Sequence, residues 1–314
     1  MELDTGTSQA LTAAITKNAS KQTYITIRLL IDRKLVDDAY RAYGYFRWVD
    51  DTLDAQAGAR SEKLSFISRQ KALLEALYQG DNPNDLCAEE EMLLDLVHHD
   101  SGKNPGLKSY LFNMMAVMDF DAVRRGCVIS TIELDEYAHT LATAVTDAIY
   151  YFIDHDQPPA PHQARYQAVT AAHITHMLRD TRDDVRHGYY NIPGEYLLAH
   201  GISPSDIENK AYHQWVCSRV RLARRYFKEG KGCIAQDKSW RRRLAGYAYS
   251  ARFEWMLRTI ERDNFCLRSE YGERKGLWAG LWMSCVTLTS TFASPWIKTR
   301  SSHQAAQPVV VEKP

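Results

Sequence analysis

Helical periodicity is the feature that most constrains the fold of this chain. Apolar residues recur at three- and four-residue spacing, the period at which an α-helix buries one face, and no convincing run of alternating strand residues interrupts them. Turn residues separate the helical segments, as in "GDNPND" and "DHDQPPAP". The pattern predicts an all-α domain of roughly eight to ten helices packed around a central cavity. The segments run over residues 35–57, 61–79, 88–99, 107–125, 131–154, 162–187, 204–229 and 238–265.

No repeat or long linker divides the 314 residues, so we predict one domain over residues 15–293. Residues 1–14 are expected to be a flexible N-terminus, and residues 294–314 a disordered tail. The 39 basic and 39 acidic side chains balance, so net charge gives no argument for a nucleic-acid partner. Six scattered cysteines, with no close pairing and no signal-peptide pattern before them, favour a reducing cytosol.

Two helix starts carry cap signals. Ser130 is followed three residues later by Glu133, which is the spacing of a capping box. Ser203 precedes Pro204, and proline is favoured at the first position of a helix. Helices are therefore expected to begin at these two serines.

The uncharged stretch 276–297, "GLWAGLWMSCVTLTSTFASPWI", allows two interpretations. Its length suits a bilayer, but its serines, threonines and one proline make it a poor spanning helix. It is either the last core helix followed by a loop, or a peripheral contact with a membrane surface. The predicted location is therefore the cytoplasm, with membrane association left open.

Three aspartates in "YGYFRWVDDTLD" (43–54) stand on or beside an otherwise apolar helix face. Asp50 and Asp54 are four residues apart and so share one face. Asp51 lies beside them, and Arg47 lies one turn before Asp50. Like charges one turn apart destabilise a helix, and a carboxylate buried without a partner costs far more. A cation is therefore expected beside these carboxylates.

A second acidic stretch, "RDTRDDVRHG" (179–188), repeats this arrangement. Asp180 and Asp184 are four residues apart, with Asp183 between them. Arg179 directly precedes the first of these acids. Each of the two helices thus offers a pair of carboxylates on one face with an arginine alongside.

Paired carboxylates on two facing helices suit Mg²⁺, which typically binds one or two carboxylates together with water and substrate phosphates. Two such helices can hold a cluster of roughly two or three Mg²⁺ ions. The metals would clamp a diphosphate, and arginines would take its remaining oxygens. Diphosphate then becomes a good leaving group, so that an allylic C–O bond ionises to a carbocation between apolar walls that exclude water. Arg182 and Arg186 alternate with acids as an exposed helix face would, so a surface role stays open for them.

Three stretches resemble the squalene/phytoene synthase family of head-to-head prenyl diphosphate synthases: "ASKQTYITIRLL", "AYGYFRWVDDTLD" and "HMLRDTRDDVRHGYYNIP". The resemblance runs from about residue 19 to about residue 270. It implies a single-domain isoprenoid-synthase helical bundle around a central cavity. It also implies Mg²⁺-dependent condensation of two farnesyl or geranylgeranyl diphosphates. A cyclopropylcarbinyl diphosphate would form first, and a squalene- or phytoene-like product would follow.

The resemblance assigns roles within the first motif. Asp50 and Asp54 match the family's metal ligands, and Asp51 beside them is a candidate catalytic residue. Tyr43 and Arg47 match the tyrosine and arginine that precede the motif and face the diphosphate. Both are therefore candidate catalytic residues, and Arg47 is also a candidate diphosphate-binding residue.

The resemblance extends to the second motif and to the N-terminal segment. Asp180 and Asp184 match the second set of metal ligands, and Arg179 matches the family's arginine. Asp183 stands where the family usually has glutamate. Arg179 and Asp183 are candidate catalytic residues. Ser20 falls where the family has a phosphate-contacting serine, so Ser20 and Arg179 are candidate diphosphate-binding residues.

Several positions depart from the family pattern. His173 and His176 stand where the family usually has glutamine and asparagine. Because that asparagine helps to hold Mg²⁺, His176 is either a substitute metal ligand or an ordinary packed or exposed histidine; imidazole is a poorer partner than oxygen for this hard ion. Tyr189 and Asn191 replace the arginine and tyrosine that the family has after its glycine, so one phosphate contact is expected to be missing.

The departures leave two further functions open. Thr143 and Thr146 replace glycines of the family's cavity helix and would narrow and polarise the pocket, which suits a single-substrate terpene synthase. A non-catalytic, membrane-associated relative is the other alternative, and loss of the acidic clusters would favour it. The use of NADPH is open, because the sequence has no recognisable dinucleotide motif and relatives that use NADPH lack one too. The oligomeric state is also open.

Overall fold

The computed structural model describes residue 16 and residues 21–55, 60–157, 162–272 and 276–293. Within these ranges the chain forms helices and no β-strand, so the all-α prediction is confirmed. The tail predicted to be disordered, 294–314, and the N-terminus predicted to be flexible, 1–14, lie outside the described residues.

Eleven α-helices follow one another in the described ranges, with two short 3-10 helices at Arg33–Leu35 and Gln163–Tyr166. Each of the eight segments predicted from periodicity is mostly helical. The three helices that periodicity did not predict are the first, the eighth and the eleventh. The α-helices are α1 Lys21–Leu30, α2 Val36–Asp54, α3 Arg60–Gln79, α4 Ala88–His99, α5 Gly106–Arg124, α6 Thr131–Phe152, α7 Gln167–His187, α8 Gly194–His200, α9 Lys210–Ile234, α10 Trp240–Arg262 and α11 Leu277–Ala293.

One of the two predicted helix starts is confirmed. At the start of α6, the Ser130 hydroxyl accepts the Glu133 N–H at 3.2 Å, and the Glu133 carboxylate accepts the Ser130 N–H at 2.7 Å. The predicted start at Ser203 is wrong, because the Asp206 carboxylate accepts the Ser203 N–H at 2.7 Å and closes a turn there. α9 begins only after Asn209, whose side chain caps it.

The buried apolar side chains form two clusters that meet along α6. One cluster joins α1 to α5 and the end of α6, and the other joins the start of α6 with α7 to α10. Tyr137 on α6 packs against both clusters. Polar side chains that include Arg124 and Asn191 are buried at the junction between these two cores, and the candidate site lies there.

Close packing of α9 on α7 depends on one glycine. A Cβ atom at Gly230 would lie 2.4 Å from the backbone nitrogen of Ala168, at the start of α7. Since real Cβ contacts are never so short, only glycine allows α9 to approach at this point. This contact fixes the position of α7, the helix that carries the second acidic motif.

The stretch that allowed two interpretations contains α11, which packs on the outer side of α10. The Arg258 guanidinium lies 4.3 Å from the centre of the Trp282 ring at this contact. The opposite face of α11 is apolar and exposed: Trp278 is 82% exposed, and Leu281, Leu288 and Phe292 are each more than half exposed. None of the helices in the described ranges has the length and apolarity needed to cross a membrane.

Candidate active site

A polar cavity of about 390 Å³ lies where the two cores meet. Asp50 and Asp54 reach it from α2, and Asp180 and Asp184 reach it from α7. Because residues four apart share a helix face, each motif presents both of its carboxylates to the same space. The structure therefore brings the two acidic motifs together at one cavity. The other lining residues are Leu53, Met118, Asp121, Arg124, Tyr137, His173, His176, Met177, Tyr189 and Asn191.

The negative charge in this cavity is not fully compensated by the protein. Burial, followed by repulsion from Asp54, raises the pKa of Asp50 to about 6. Burial, followed by repulsion from Asp180, raises the pKa of Asp184 to about 7. Both shifts mean that ionising these two carboxyl groups costs free energy, and a cation in the cavity would lower that cost.

The carboxylates fit the way in which Mg²⁺ is usually bound. Among the described residues, no group of three or more His, Cys, Asp and Glu side chains is arranged to hold a metal ion. Mg²⁺ usually takes only one or two carboxylates and fills its remaining positions with water and substrate phosphates. Two pairs of aspartates around one cavity match that need. The metal-ligand roles of these residues stay predictions.

Asp180 differs from its neighbours because an arginine and a histidine contact its carboxylate. The His176 Nε2 atom lies 2.9 Å from Asp180 Oδ2, and Arg179 also donates to this carboxylate. Burial alone would raise the pKa of Asp180, but these hydrogen bonds outweigh burial and hold it well below its usual range. His176 thus lines the cavity and contacts a predicted metal ligand, and its own role as a ligand stays a prediction.

The other acidic residues of the two motifs lie away from the cavity lining. Asp51 is exposed and accepts a hydrogen bond from Arg47 Nε at 3.0 Å, while the other end of the Arg47 guanidinium lies 3.4 Å from Asp50. Asp183 is exposed and pairs with Arg186 at 2.8 Å. Arg47 therefore lies at the rim of the cavity, next to the first carboxylate pair.

An apolar chamber of about 310 Å³ lies further along the same helices, and it shares none of its described lining residues with the acidic cavity. α2 lines both spaces, since it contributes Asp50 to the cavity and Tyr43 to the chamber. α6 does the same with Tyr137 and Val145. Burial raises the pKa of Tyr43, which keeps its hydroxyl protonated. Ser20 lies outside the described residues.

A hydrogen-bonded chain beside the second motif was not predicted from the sequence. Arg124 on α5 donates to Asp121 at 2.6 Å and to the Asn191 side-chain oxygen at 2.9 Å. The Asn191 amide in turn donates to Asp184 at 2.8 Å. Tyr137 donates its hydroxyl to the second oxygen of Asp121 at 2.9 Å. One oxygen of Asp184 is thereby tethered, through Asn191, to a buried arginine.

Arg124 also lies next to one position that departs from the family pattern. Its guanidinium lies 5.2 Å from the centre of the ring of Tyr189, which is the residue that stands where the family has arginine. Of the described residues that line the cavity, it is the one arginine. The backbone N–H of Gly126 donates to the carbonyl of Gly188 at 2.8 Å and so joins the loops that follow α5 and α7. The three-residue spacing of Asp121 and Arg124 on an apolar helix is the signal that could have identified the pair.

His173 is a buried histidine with no hydrogen-bond partner at either ring nitrogen. It lines the cavity, and its ring packs edge-on to Tyr137 with 4.9 Å between the ring centres. Burial lowers the pKa of His173 to about 3, so the imidazole is neutral at physiological pH. An unused donor and acceptor therefore lie next to the acidic cavity, where a bound molecule or water can pair with them.

The bundle and its two facing aspartate pairs define an all-α protein with an acidic cavity between two of its helices. The family model described as Squalene/phytoene synthase matches residues 16–275, and the chain belongs to this family. The resemblance predicted from the three sequence stretches is therefore confirmed.

One curated relative is similar over part of its length. The presqualene diphosphate synthase of Zymomonas mobilis subsp. mobilis is 28% identical over 201 residues, which cover 62% of this chain and 64% of the relative. The chain thus matches somewhat less than two thirds of that protein. The likeness supports the family, while the activity of the relative is carried over only as a proposal.

Two solved structures share the fold. Squalene synthase HpnC from Alicyclobacillus acidocaldarius superposes with a TM-score of 0.65 at 17% identity, covering 83% of this chain and 96% of that chain. TcSQS in complex with a ligand gives a TM-score of 0.65 at 15% identity, covering 96% of this chain and 94% of that chain. At these identities the likeness confirms the fold alone, an all-α isoprenoid-synthase bundle.

Proposed function

We propose that the protein condenses two allylic isoprenyl diphosphates head-to-head in a reaction that requires Mg²⁺. A cyclopropylcarbinyl diphosphate would form first and lead on to a squalene- or phytoene-like product. One observation carries the proposal: Asp50, Asp54, Asp180 and Asp184 line a single cavity, and an apolar chamber lies further along two of the helices that line it. An anionic headgroup and a long hydrocarbon chain need those two environments side by side.

The four aspartates would hold the Mg²⁺, with His176 as a further candidate ligand. When bound, Mg²⁺ neutralises the diphosphate and makes it a better leaving group. The raised pKa values of Asp50 and Asp184 support this role, because they mark charge that lacks a counter-ion. Each of these carboxylates gains a partner when the cation and the diphosphate enter together.

Arginines at the rim of the cavity and in its lining would bind the diphosphate. Arg47 and Arg179 lie next to the first and second acidic pairs, and Arg124 lies in the cavity lining. Guanidinium groups donate in pairs to phosphate oxygens, so they fix the headgroup as well as neutralise it. These residues would orient the C–O bond that breaks, while the apolar chamber keeps water from the cation that forms.

The direct test is a product assay with the full-length protein. Farnesyl or geranylgeranyl diphosphate is incubated with MgCl₂, and the extract is analysed by mass spectrometry alongside pyrophosphate release. A thirty- or forty-carbon hydrocarbon, or its cyclopropyl diphosphate, is expected. The absence of pyrophosphate release with both substrates would contradict the proposal and favour a non-catalytic relative.

Variants of the acidic pairs test the same proposal at the residues that carry it. Asp50→Asn and Asp180→Asn each remove a charge that the metals require, so turnover is expected to fall by roughly a thousandfold or more. Asp135→Asn on the exposed face of α6 is the matched control and is expected to retain wild-type turnover. Normal rates in both cavity variants would rule out metal binding by the two acidic pairs.

One observation favours a second candidate function, a single-substrate terpene synthase. Thr146 on α6 is 4% exposed, and its hydroxyl is buried with no hydrogen-bond partner. Thr146 lines neither the cavity nor the chamber, but its hydroxyl adds a buried polar group to α6, the helix that lines both, at a position where the family has glycine. A cyclic fifteen- or twenty-carbon product in the same assay would support this alternative over the head-to-head reaction.

We also propose that α11 lies against a lipid surface. Its exposed face carries Trp278, Leu281, Leu288 and Phe292, and tryptophan is enriched where proteins meet the membrane interface. Arg258 lies at the seam between α10 and α11. A cation near an apolar face favours anionic phospholipids.

A further inference from the structure

His173 is a polar side chain of the acidic cavity to which the proposed function gives no role. It is 6% exposed, and neither of its ring nitrogens has a hydrogen-bond partner. A neutral imidazole carries one N–H donor and one nitrogen with a free lone pair. Burial lowers the pKa of His173 to about 3, so the lone pair is unprotonated at physiological pH. The cavity lining therefore includes a buried base with nothing bound to it.

The other basic groups of the lining already have partners or roles. Both oxygens of Asp121 accept hydrogen bonds, at 2.6 and 2.9 Å. Under the proposed function the two aspartate pairs bind Mg²⁺, and His176 contacts Asp180 at 2.9 Å. Of the described residues that line the cavity, His173 is thus the buried base without a partner.

His173 lies at the end of the cavity that faces the chamber. Of the α7 residues that line the cavity, it is the nearest to the start of the helix. Just before α7, the Arg165 guanidinium lies 3.5 Å from Asp147 on α6. Asp147 lies between Val145 and Ala148, which line the chamber. The direction along α7 from the aspartates to His173 therefore leads towards the chamber-lining part of α6.

One aromatic side chain of α10 lies between this end of the cavity and the chamber. Tyr249 lines the chamber, and its ring centre is 5.1 Å from that of Phe253. The Phe253 ring centre lies 6.2 Å from that of His176, which is about one helical turn after His173. A prenyl diphosphate with its headgroup among the aspartates and its chain directed to the chamber would therefore have its first carbons near these histidines.

The proposed condensation releases one proton when the cyclopropane ring closes. After the C–O bond of the first substrate breaks, its C1 carbon adds to the double bond of the second substrate and leaves a new carbocation. A C–H bond at that C1 carbon then breaks, and its electron pair forms the bond that closes the ring. The proton goes to a base, and no oxidant or reductant takes part. Since a carbocation is a far stronger acid than an imidazolium ion, a weakly basic imidazole is sufficient.

We infer that His173 is the base that removes the C1 proton and so closes the cyclopropane ring. The free lone pair of the imidazole takes the proton, and the released pyrophosphate, a stronger base, takes it from the imidazolium. This role rests on the proposed function, because it requires a head-to-head reaction in the acidic cavity. His173 stands where the family usually has glutamine, whose amide is not basic, so the role belongs to this chain's own residue.

Replacing His173 is expected to separate ionisation from ring closure. The full-length protein is incubated with farnesyl or geranylgeranyl diphosphate and MgCl₂, and all ring-closed products are quantified against pyrophosphate release. In His173→Ala and His173→Gln, the ring-closed product per pyrophosphate should fall by about a hundredfold, with alcohols from water capture in its place. Added imidazole should raise this ratio by about tenfold or more in His173→Ala, which leaves space for the free base.

His139→Gln is the matched control. His139 is an exposed histidine on α6 that lines neither the cavity nor the chamber, so the variant should keep the wild-type ratio with and without imidazole. Thermal unfolding checks that each variant is folded. Should His173→Ala not fold, His173→Gln still tests the role, because it keeps a polar side chain of similar length.

The outcomes distinguish the role of His173 from the proposed function. A wild-type ratio in folded His173→Gln, or no rescue of folded His173→Ala by imidazole, would overturn the role of His173 and leave the proposed function standing. Parallel loss of pyrophosphate release and ring-closed product in both folded variants would mean that His173 only binds substrate, which also overturns its role as the base. No pyrophosphate release by the wild type with either substrate would overturn both.

Discussion

At the scale of single residues, Asn191 departs from the family pattern and takes part in the hydrogen-bonded chain beside the second acidic pair. It stands where the family has tyrosine, and its amide joins Arg124 to Asp184. Groups that orient a metal-binding side chain commonly change metal affinity as much as some ligands do. We therefore interpret Asn191 as a positioning residue for the second acidic pair.

Replacing Asn191 with leucine is expected to weaken metal binding. Without the amide, Asp184 loses its tether, so the Mg²⁺ concentration for half-maximal activity should rise by roughly tenfold or more. Calorimetric titration of Mg²⁺ in the presence of pyrophosphate should show the same loss. Asn82→Leu, at an exposed turn, is the control. A variant with a lowered Tm but unchanged Mg²⁺ affinity would mean that the tether serves only stability.

At the scale of elements, α11 is unusual because one of its faces lacks a partner within the described residues. Trp278, Leu281, Leu288 and Phe292 fall at helical spacing on that face, and the opposite side packs on α10. Exposed apolar faces of this kind mark sites of association. Its position on the outside of α10, away from the chamber wall formed by Ala245 and Tyr249, allows lipid contact without disturbing the chamber.

Removing this apolar face is expected to reduce membrane binding. Burying one such side chain is worth about 1.5–3 kcal/mol, so Trp278→Ser with Leu281→Ser should lower partitioning onto anionic phospholipid vesicles more than tenfold. Sedimentation with the vesicles measures the change. Ile132→Ser with Leu198→Ser removes comparable exposed residues elsewhere and serves as the control. Equal sedimentation of both double variants, or a lipid-independent dimer lost only in the α11 variant, would contradict the proposal.

At the scale of the whole molecule, the acidic cavity lies between two cores, and its two carboxylate pairs come one from each side. A ligand that binds both pairs therefore bridges α2 and α7. Since such a ligand binds only the assembled state, it should stabilise the fold by mass action.

Mg²⁺ together with pyrophosphate is expected to raise the Tm of the wild-type protein. At a hundredfold excess over Kd the gain is about 2.7 kcal/mol, which corresponds to a rise in Tm of roughly 5 °C. Differential scanning fluorimetry measures the shift, and it should be largely lost in both Asp50→Asn and Asp184→Asn. A shift that persists when EDTA is added to pyrophosphate, or that survives both variants, would contradict binding across the two helices.

The sequence predicted those parts of the molecule that depend on local spacing. The helices of the bundle and the two carboxylate pairs follow from residues three and four apart, so α2 and α7 were assigned together with their functional faces. The capping box at Ser130 is equally local. The start at Ser203 was misassigned because serine and proline signals also suit the turn that Asp206 closes.

Parts of the molecule that depend on tertiary contacts were not predicted. Arg124 and Asn191 are far apart in the sequence, and nothing local to either residue indicates their hydrogen bond. The contact between the ends of α1 and α6, where the Asp32 N–H donates to the Phe152 carbonyl at 3.0 Å, is tertiary in the same way. α1 itself was missed because it has only ten residues, fewer than the stretch over which helical periodicity is usually recognised.

A single unbroken helix, α2, carries the carboxylates at one end and the chamber wall at the other. Inserting or deleting one residue between Ala39 and Asp50 would turn one half of that helix by about 100° relative to the other. Either the carboxylates or the residues that line the chamber would then face away from the ligand. Any change of substrate fit along α2 is therefore expected to come from exchanged side chains at a fixed register, because a change in helix length would separate the two functions of the helix.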